Sequence, residues 1–83
     1  MVETTRAFAP AAGRLRSSEA AQAQRHVAEF ERRVERQRWL IERLERDQHF
    51  DMLEQAKRVL VTLEETLRHA RDHLEIEIKF HGN

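Results

Sequence analysis

An unbroken stretch without glycine or proline, from residue 18 to residue 79, constrains the fold of this chain more than any other feature. The stretch is rich in Glu, Arg, Leu, Ala and Gln, which all have high helix propensity. Pro10 and Gly13 lie before it, and Gly82 follows it. The sequence therefore predicts an all-α protein in which helix-breaking residues occur only near the chain ends.

Apolar residues recur along this stretch in steps of three and four, the spacing of a and d positions in a heptad. Two such series are present, and extending the first into the second would place Gln48 and Asp51 at core positions. The pattern therefore breaks after Arg46. The first series is Ala20, Ala23, Val27, Phe30, Val34, Gln37, Ile41 and Leu44, and the second is Leu53, Ala56, Leu60, Leu63, Leu67, Ala70 and Leu74.

The break indicates a turn, because Asp47, Gln48 and His49 are polar and because Asp51 and Glu54 have the spacing of a capping box. Two helices of similar length joined by a short loop pack as antiparallel neighbours. The alternative, one continuous helix in a long coiled coil, conflicts with the break. The predicted elements are a flexible arm at 1–16 and a helical hairpin at 17–80, with helix one at about 18–46, the turn at about 47–50 and helix two at about 51–79.

Charge supports antiparallel pairing of the two halves. The formal charge is +2 over residues 1–18, +1 over 19–46 and −3 over 47–83, which leaves the chain neutral. Zero net charge argues against a strong binder of nucleic acid or of anionic membranes. The Arg side chains of helix one alternate with Glu at helical spacing, which favours a solvated, salt-bridged surface over a weak nucleic-acid-binding one.

A chain of 83 residues without cysteine has neither disulfides nor thiolate metal sites to supplement a small core. Two helices cannot enclose the large side chains of the two series, and further apolar residues lie beside them near the turn. We therefore predict that hairpins pair as a homodimer, a four-helix bundle with twofold symmetry. The predicted interface residues are Trp39, Leu40, Met52 and Val59.

Histidines are the only candidates for a metal site. With the turn near residue 49, His26 lies opposite His73, and His69 is one helical turn from His73. Histidines on facing helices bind zinc and other transition metals, although polar residues that merely flank a core show the same pattern. A di-iron bundle needs inward-facing carboxylates, and the series offer only Glu77, near the end of helix two.

No motif of an enzyme stands out. The chain has no Gly-rich phosphate loop, nucleophile elbow or Cys, and its only Ser residues, at 17 and 18, suit a helix cap.

No segment reaches the roughly 18 apolar residues of a membrane span, and no secretory signal is recognised, so we expect a cytoplasmic protein. Gln37, the one polar residue in the first series, is interpreted as a layer that sets the helix register rather than as a ligand contact.

Several short segments carry a resemblance to a known family. They are His26-Val27-Ala28-Glu29, Glu31-Arg32-Arg33-Val34, Gln37, Leu40-Ile41, Leu44-Glu45-Arg46-Asp47, His49 and Leu63-Glu64-Glu65-Thr66-Leu67. Over residues 24–74 the chain resembles a family of short, uncharacterised helical proteins frequent in rhizobia-like alphaproteobacteria. The family often has Gly where this chain has Phe30 and Gln48. The resemblance implies a helical fold and a bacterial cytoplasmic setting, but no activity.

These observations favour a non-enzymatic helical protein without a cofactor, which acts by self-association and by contact with an unidentified protein partner. Two alternatives remain open at this point. The first is a metal- or ligand-binding bundle that uses His26 and His73, and the second is a weak nucleic-acid-binding regulator.

Overall fold

The computed structural model describes the backbone of residues 2–81 and the side chains of residues 19–80. In this part of the chain α1 spans Val2–Arg46, α2 spans Phe50–His81, and no strand occurs. Contacts between the helices link earlier residues of α1 to later residues of α2, so the helices run antiparallel. The prediction of an all-α, two-helix hairpin is thus confirmed.

The helix boundaries agree with the prediction at the turn and differ at the start of α1. Residues 47–49 connect the helices, inside the predicted turn at 47–50. The backbone of α1 is helical from Val2, whereas the sequence predicted a start at about residue 18. The side chains of residues 2–18 lie outside the described ones, and the arm at 1–16 stays a prediction.

The assignment of Asp51 as the cap of helix two was wrong. Helix α2 begins at Phe50, and the His49 carbonyl oxygen accepts hydrogen bonds from the backbone N–H groups of Met52 and Leu53, at 3.2 and 3.1 Å. Asp51 therefore lies inside the first turn. Its carboxylate still stabilises the helix there, because it lies near the positive end of the helix dipole.

Helix α1 ends in a Schellman motif. Gln48 has a left-handed backbone with φ of 61°. The N–H of His49 donates to the Leu44 carbonyl at 2.9 Å, and the N–H of Gln48 donates to the Glu45 carbonyl at 3.2 Å. This pair of bonds satisfies carbonyls that a helix end otherwise leaves open. Glycine is the residue best suited to the position of Gln48, because a Cβ atom crowds the left-handed backbone.

Replacing Gln48 with Gly should therefore raise the free energy of unfolding by about 0.5–1 kcal/mol, measured by urea unfolding followed by circular dichroism. The matched control is Glu65→Gly, an exposed position inside α2. That change should lower the stability by about 1 kcal/mol, because glycine gains freedom in the unfolded chain. A loss of stability in both variants would contradict the role assigned to Gln48.

The core lies between the two helices and is best enclosed near the turn. There Ile41, Leu44, Leu53 and Ala56 form one buried cluster, and Leu60 packs against it. Further buried apolar residues along the hairpin are Ala23, Val34 and Leu67. Other members of the two predicted series are only half-buried: Val27, Phe30, Leu60, Leu63 and Leu74. Among residues 19–80, no large side chain is exposed by less than 2 %, so the hairpin does not close its own core.

Candidate functional site

One broad side of the hairpin is crossed by ion pairs. Arg38 Nη2 donates to Glu64 Oε2 at 2.9 Å, and Arg71 Nη2 donates to Glu31 Oε2 at 3.1 Å. Both pairs join α1 to α2, and all four residues line one shallow groove. We call this side the ionic face. Its charges largely neutralise each other within one chain, so the face is suited to contact with water.

The opposite side differs in chemistry. On α1, Leu40 lies about 160° around the helix axis from Arg38, given 100° per residue. Leu40, Met52 and Val59 line a groove there, and their exposed fractions are 39 %, 55 % and 41 %. We call this side the open face. The other residues that line this groove are Gln37, Leu44, Gln55 and Ala56.

Gln37 links the two helices within this groove. Its Nε2 atom donates to the Ala56 carbonyl oxygen at 2.9 Å, in a half-buried position. The bond connects a side chain of α1 to the backbone of α2, so it forms only at one axial register. This geometry supports the interpretation of Gln37 as a residue that sets the helix register.

The open face continues along α2 with residues whose polar groups are already satisfied. The Thr62 hydroxyl donates to the Arg58 carbonyl at 3.3 Å, and the Thr66 hydroxyl donates to the Thr62 carbonyl at 2.9 Å. Half-buried Leu63 lies between the two threonines in the chain and lines the adjoining groove. Because both hydroxyls donate within their own helix, covering this surface would leave neither hydroxyl without a partner.

A second groove of the open face lies at the end away from the turn. Ala23, Phe30 and Ala70 supply its apolar surface. Its polar lining residues are Glu19, Gln22, His26, Thr66, His69, His73 and Glu77. Arg33 lies over the outer side of the Phe30 ring, with its Cζ atom 4.9 Å from the ring centroid. No Lys or Arg lines this groove among the described residues, so its charged groups are carboxylates and imidazoles.

Glu77 is the one buried charged residue in the described part of the chain, with 9 % of its surface exposed. Its Oε1 atom lies 3.8 Å from His73 Nε2, and its buried Oε2 atom has no hydrogen-bond partner among the described residues. Glu77 was not predicted as a site residue, because it lies near the end of helix two. The signal was nevertheless present: Glu77 follows Leu74 by three residues and so continues the second apolar series.

The two histidines predicted as metal ligands, His26 and His73, line the same groove. Over residues 19–80, however, no group of three or more His, Asp or Glu side chains is arranged to hold a metal ion. Of the candidate ligands that line this groove, the described residues bring His73 and Glu77 into contact. The use of His26 as a ligand stays a prediction.

Of the four predicted interface residues, three share the open face and Trp39 does not. Trp39 lies on the outer side of α1, with 55 % of its surface exposed. The guanidinium carbon of Arg43 is 5.2 Å from its ring centroid, a cation–π contact. The structure therefore divides the predicted interface into an apolar groove and a separate aromatic site.

Neither helix, over the residues that the structure describes, is long and apolar enough to cross a membrane. Comparison with known proteins adds no relative: no family model, no curated protein and no solved structure matches this chain.

Proposed function

We propose that this protein is a non-enzymatic, self-associating helical module, in which the open faces of two hairpins pack together as a homodimeric four-helix bundle. The observation that carries the proposal is the exposed apolar groove of Leu40, Met52 and Val59 beside a core that is not closed. Monomeric proteins seldom expose apolar residues in contiguous patches, and a second hairpin would cover this one.

The contrast between the two faces supports a second copy as the occupant of the open face. The ionic face pairs its charges within one chain, through Arg38–Glu64 and Arg71–Glu31. Arg58 is the only charged residue that lines the two grooves nearest the turn on the open face. An apolar surface with few charges is complementary to itself, which is what a twofold interface requires.

The distribution of residues along the open face also favours one orientation. A twofold axis parallel to the long axis of the hairpin places each apolar groove against its equivalent. A perpendicular axis with full overlap would instead place Leu40 and Val59 against the groove that contains buried Glu77. Because burial of apolar surface is favourable where two apolar grooves meet, and the parallel axis brings those grooves together, we favour the parallel axis.

Trp39 would remain on the outside of this bundle. Exposed Trp and Arg are enriched among the residues that dominate binding energy at protein interfaces. The Trp39–Arg43 pair is therefore our candidate contact for a further, unidentified protein partner.

The proposal is tested by the mass of the protein in solution. The chain mass is 9.9 kDa. Sedimentation equilibrium at tens of micromolar should give about twice that value, and dilution should lower both the mass and the helical circular dichroism signal. A fully helical monomer that persists at micromolar concentration would overturn the proposal.

A further inference from the structure

The groove at the end away from the turn contains two potential metal ligands in contact. His73 and Glu77 are one helical turn apart on α2, and His73 Nε2 lies 3.8 Å from Glu77 Oε1. Glu77 is about nine-tenths buried, and its Oε2 atom has no hydrogen-bond partner among the described residues. Burying a carboxylate without full compensation is destabilising, so this atom indicates a missing positive partner.

Among the described residues no Lys or Arg side chain lines the groove beside Glu77, which points to a cation from outside the described part of the chain. Of the described arginines nearby, Arg71 pairs with Glu31 on the ionic face, Arg33 pairs with Glu29, and Arg25 lines a neighbouring groove. The groove itself offers imidazole nitrogens and carboxylate oxygens. These are the donor types that bind zinc and similar divalent transition metals.

One chain provides too few ligands for such an ion. Zinc sites are usually tetrahedral, with three or four protein ligands, whereas His73 and Glu77 supply two. The structure assigns these residues to one half of a transition-metal site, and we propose that His73 and Glu77 of a second copy complete it. The inference rests on the proposed dimer, because a twofold axis parallel to the hairpin places each ligand pair near its equivalent.

The geometry of α2 explains why the two proposed ligands lie close together. The separation of four residues places both side chains on the same side of α2, and helix packing near Ala70 and Leu74 holds this side toward the groove. Bound metal would place positive charge next to Glu77 and would link the two copies at the end away from the turn. Metal and dimer would thus stabilise each other.

The test is a zinc titration of the full chain by isothermal calorimetry, after removal of metal with a chelator. We expect one zinc ion for every two chains. We also expect the dimer to persist to lower protein concentrations with zinc than without it. His73→Ala and Glu77→Gln should each weaken zinc binding by more than about tenfold, because each removes two ligands from the symmetric site. His49→Ala, in the connection far from the groove, is the matched control and should bind zinc as the parent chain does.

The outcomes separate this inference from the proposed dimer. A metal-free dimer that binds no zinc, or that binds it equally well in all variants, overturns the metal site and leaves the dimer intact. A monomer that binds one zinc ion per chain overturns both the shared site and the proposed dimer. Sedimentation of metal-free Glu77→Gln serves as a folding control, because Gln has nearly the same shape and should retain the dimer.

Discussion

Replacing Leu53 with Ala should lower the free energy of unfolding by about 2–5 kcal/mol. Leu53 is 7 % exposed and belongs to the one core cluster of the hairpin, together with Ile41, Leu44 and Ala56. Ala would remove apolar contacts from both helices at once and leave a cavity that the short connection at 47–49 cannot close. Because a core this small rarely provides more than about 3–5 kcal/mol, the variant should be largely unfolded at low concentration.

The measurement is urea unfolding followed by circular dichroism at a fixed protein concentration, since association contributes to the apparent stability. Glu42→Ala is the matched control. Glu42 is exposed on α1, next to buried Ile41, and its replacement should change the stability by no more than about 0.5 kcal/mol. Equal losses in the two variants would show that the core does not lie where Leu53 is buried.

Changing Leu40 and Val59 together to Glu should reduce the oligomer to single chains, with a clear fall in helicity. The two side chains are 39 % and 41 % exposed in the single hairpin and line the same groove, so neither substitution buries a charge in the monomer. In the proposed bundle, four carboxylates would meet in an apolar interface, which is strongly unfavourable. Helicity falls because the separated hairpin does not enclose its own core.

The matched control for this experiment changes two other exposed apolar residues, Trp39 and Val61, together to Glu. Their side chains are 55 % and 53 % exposed and do not line the grooves of the open face. The control should retain the mass and helicity of the parent chain, as measured by sedimentation and circular dichroism. If the control dissociates and the Leu40/Val59 variant does not, the interface lies on the outer side of α1.

Local signals in the sequence were sufficient to predict the two helices and the position of the turn. The apolar series stops after Leu44 and resumes at Leu53, and α1 ends at Arg46 as that break predicts. The cap of α2 was predicted wrongly because Asp51 and Glu54 have the spacing of a capping box, although Asp51 lies inside the first turn of α2. The left-handed backbone of Gln48 closes α1 within a three-residue connection, and α2 begins two residues earlier than a cap at Asp51 implies.

Periodicity also identified which residues face the other helix, but not how well each is covered. Leu53 and Leu60 are seven residues apart and occupy the same heptad position in the second series, yet Leu53 is buried and Leu60 is only half-buried. The difference arises because burial depends on the rotation of both helices about their axes and on their separation at each level. Neither quantity is contained in the spacing of one helix.

The sequence by itself determined that this chain forms two amphipathic helices with a turn between them, because helix propensity and apolar spacing act over a few neighbouring residues. Only the tertiary structure decided that ion pairs cross one face while apolar residues stay exposed on the other, and that Glu77 is buried beside His73. These features arise between residues far apart in the chain. They depend on the axial register and rotation of α1 against α2, which packing and the Gln37–Ala56 hydrogen bond establish.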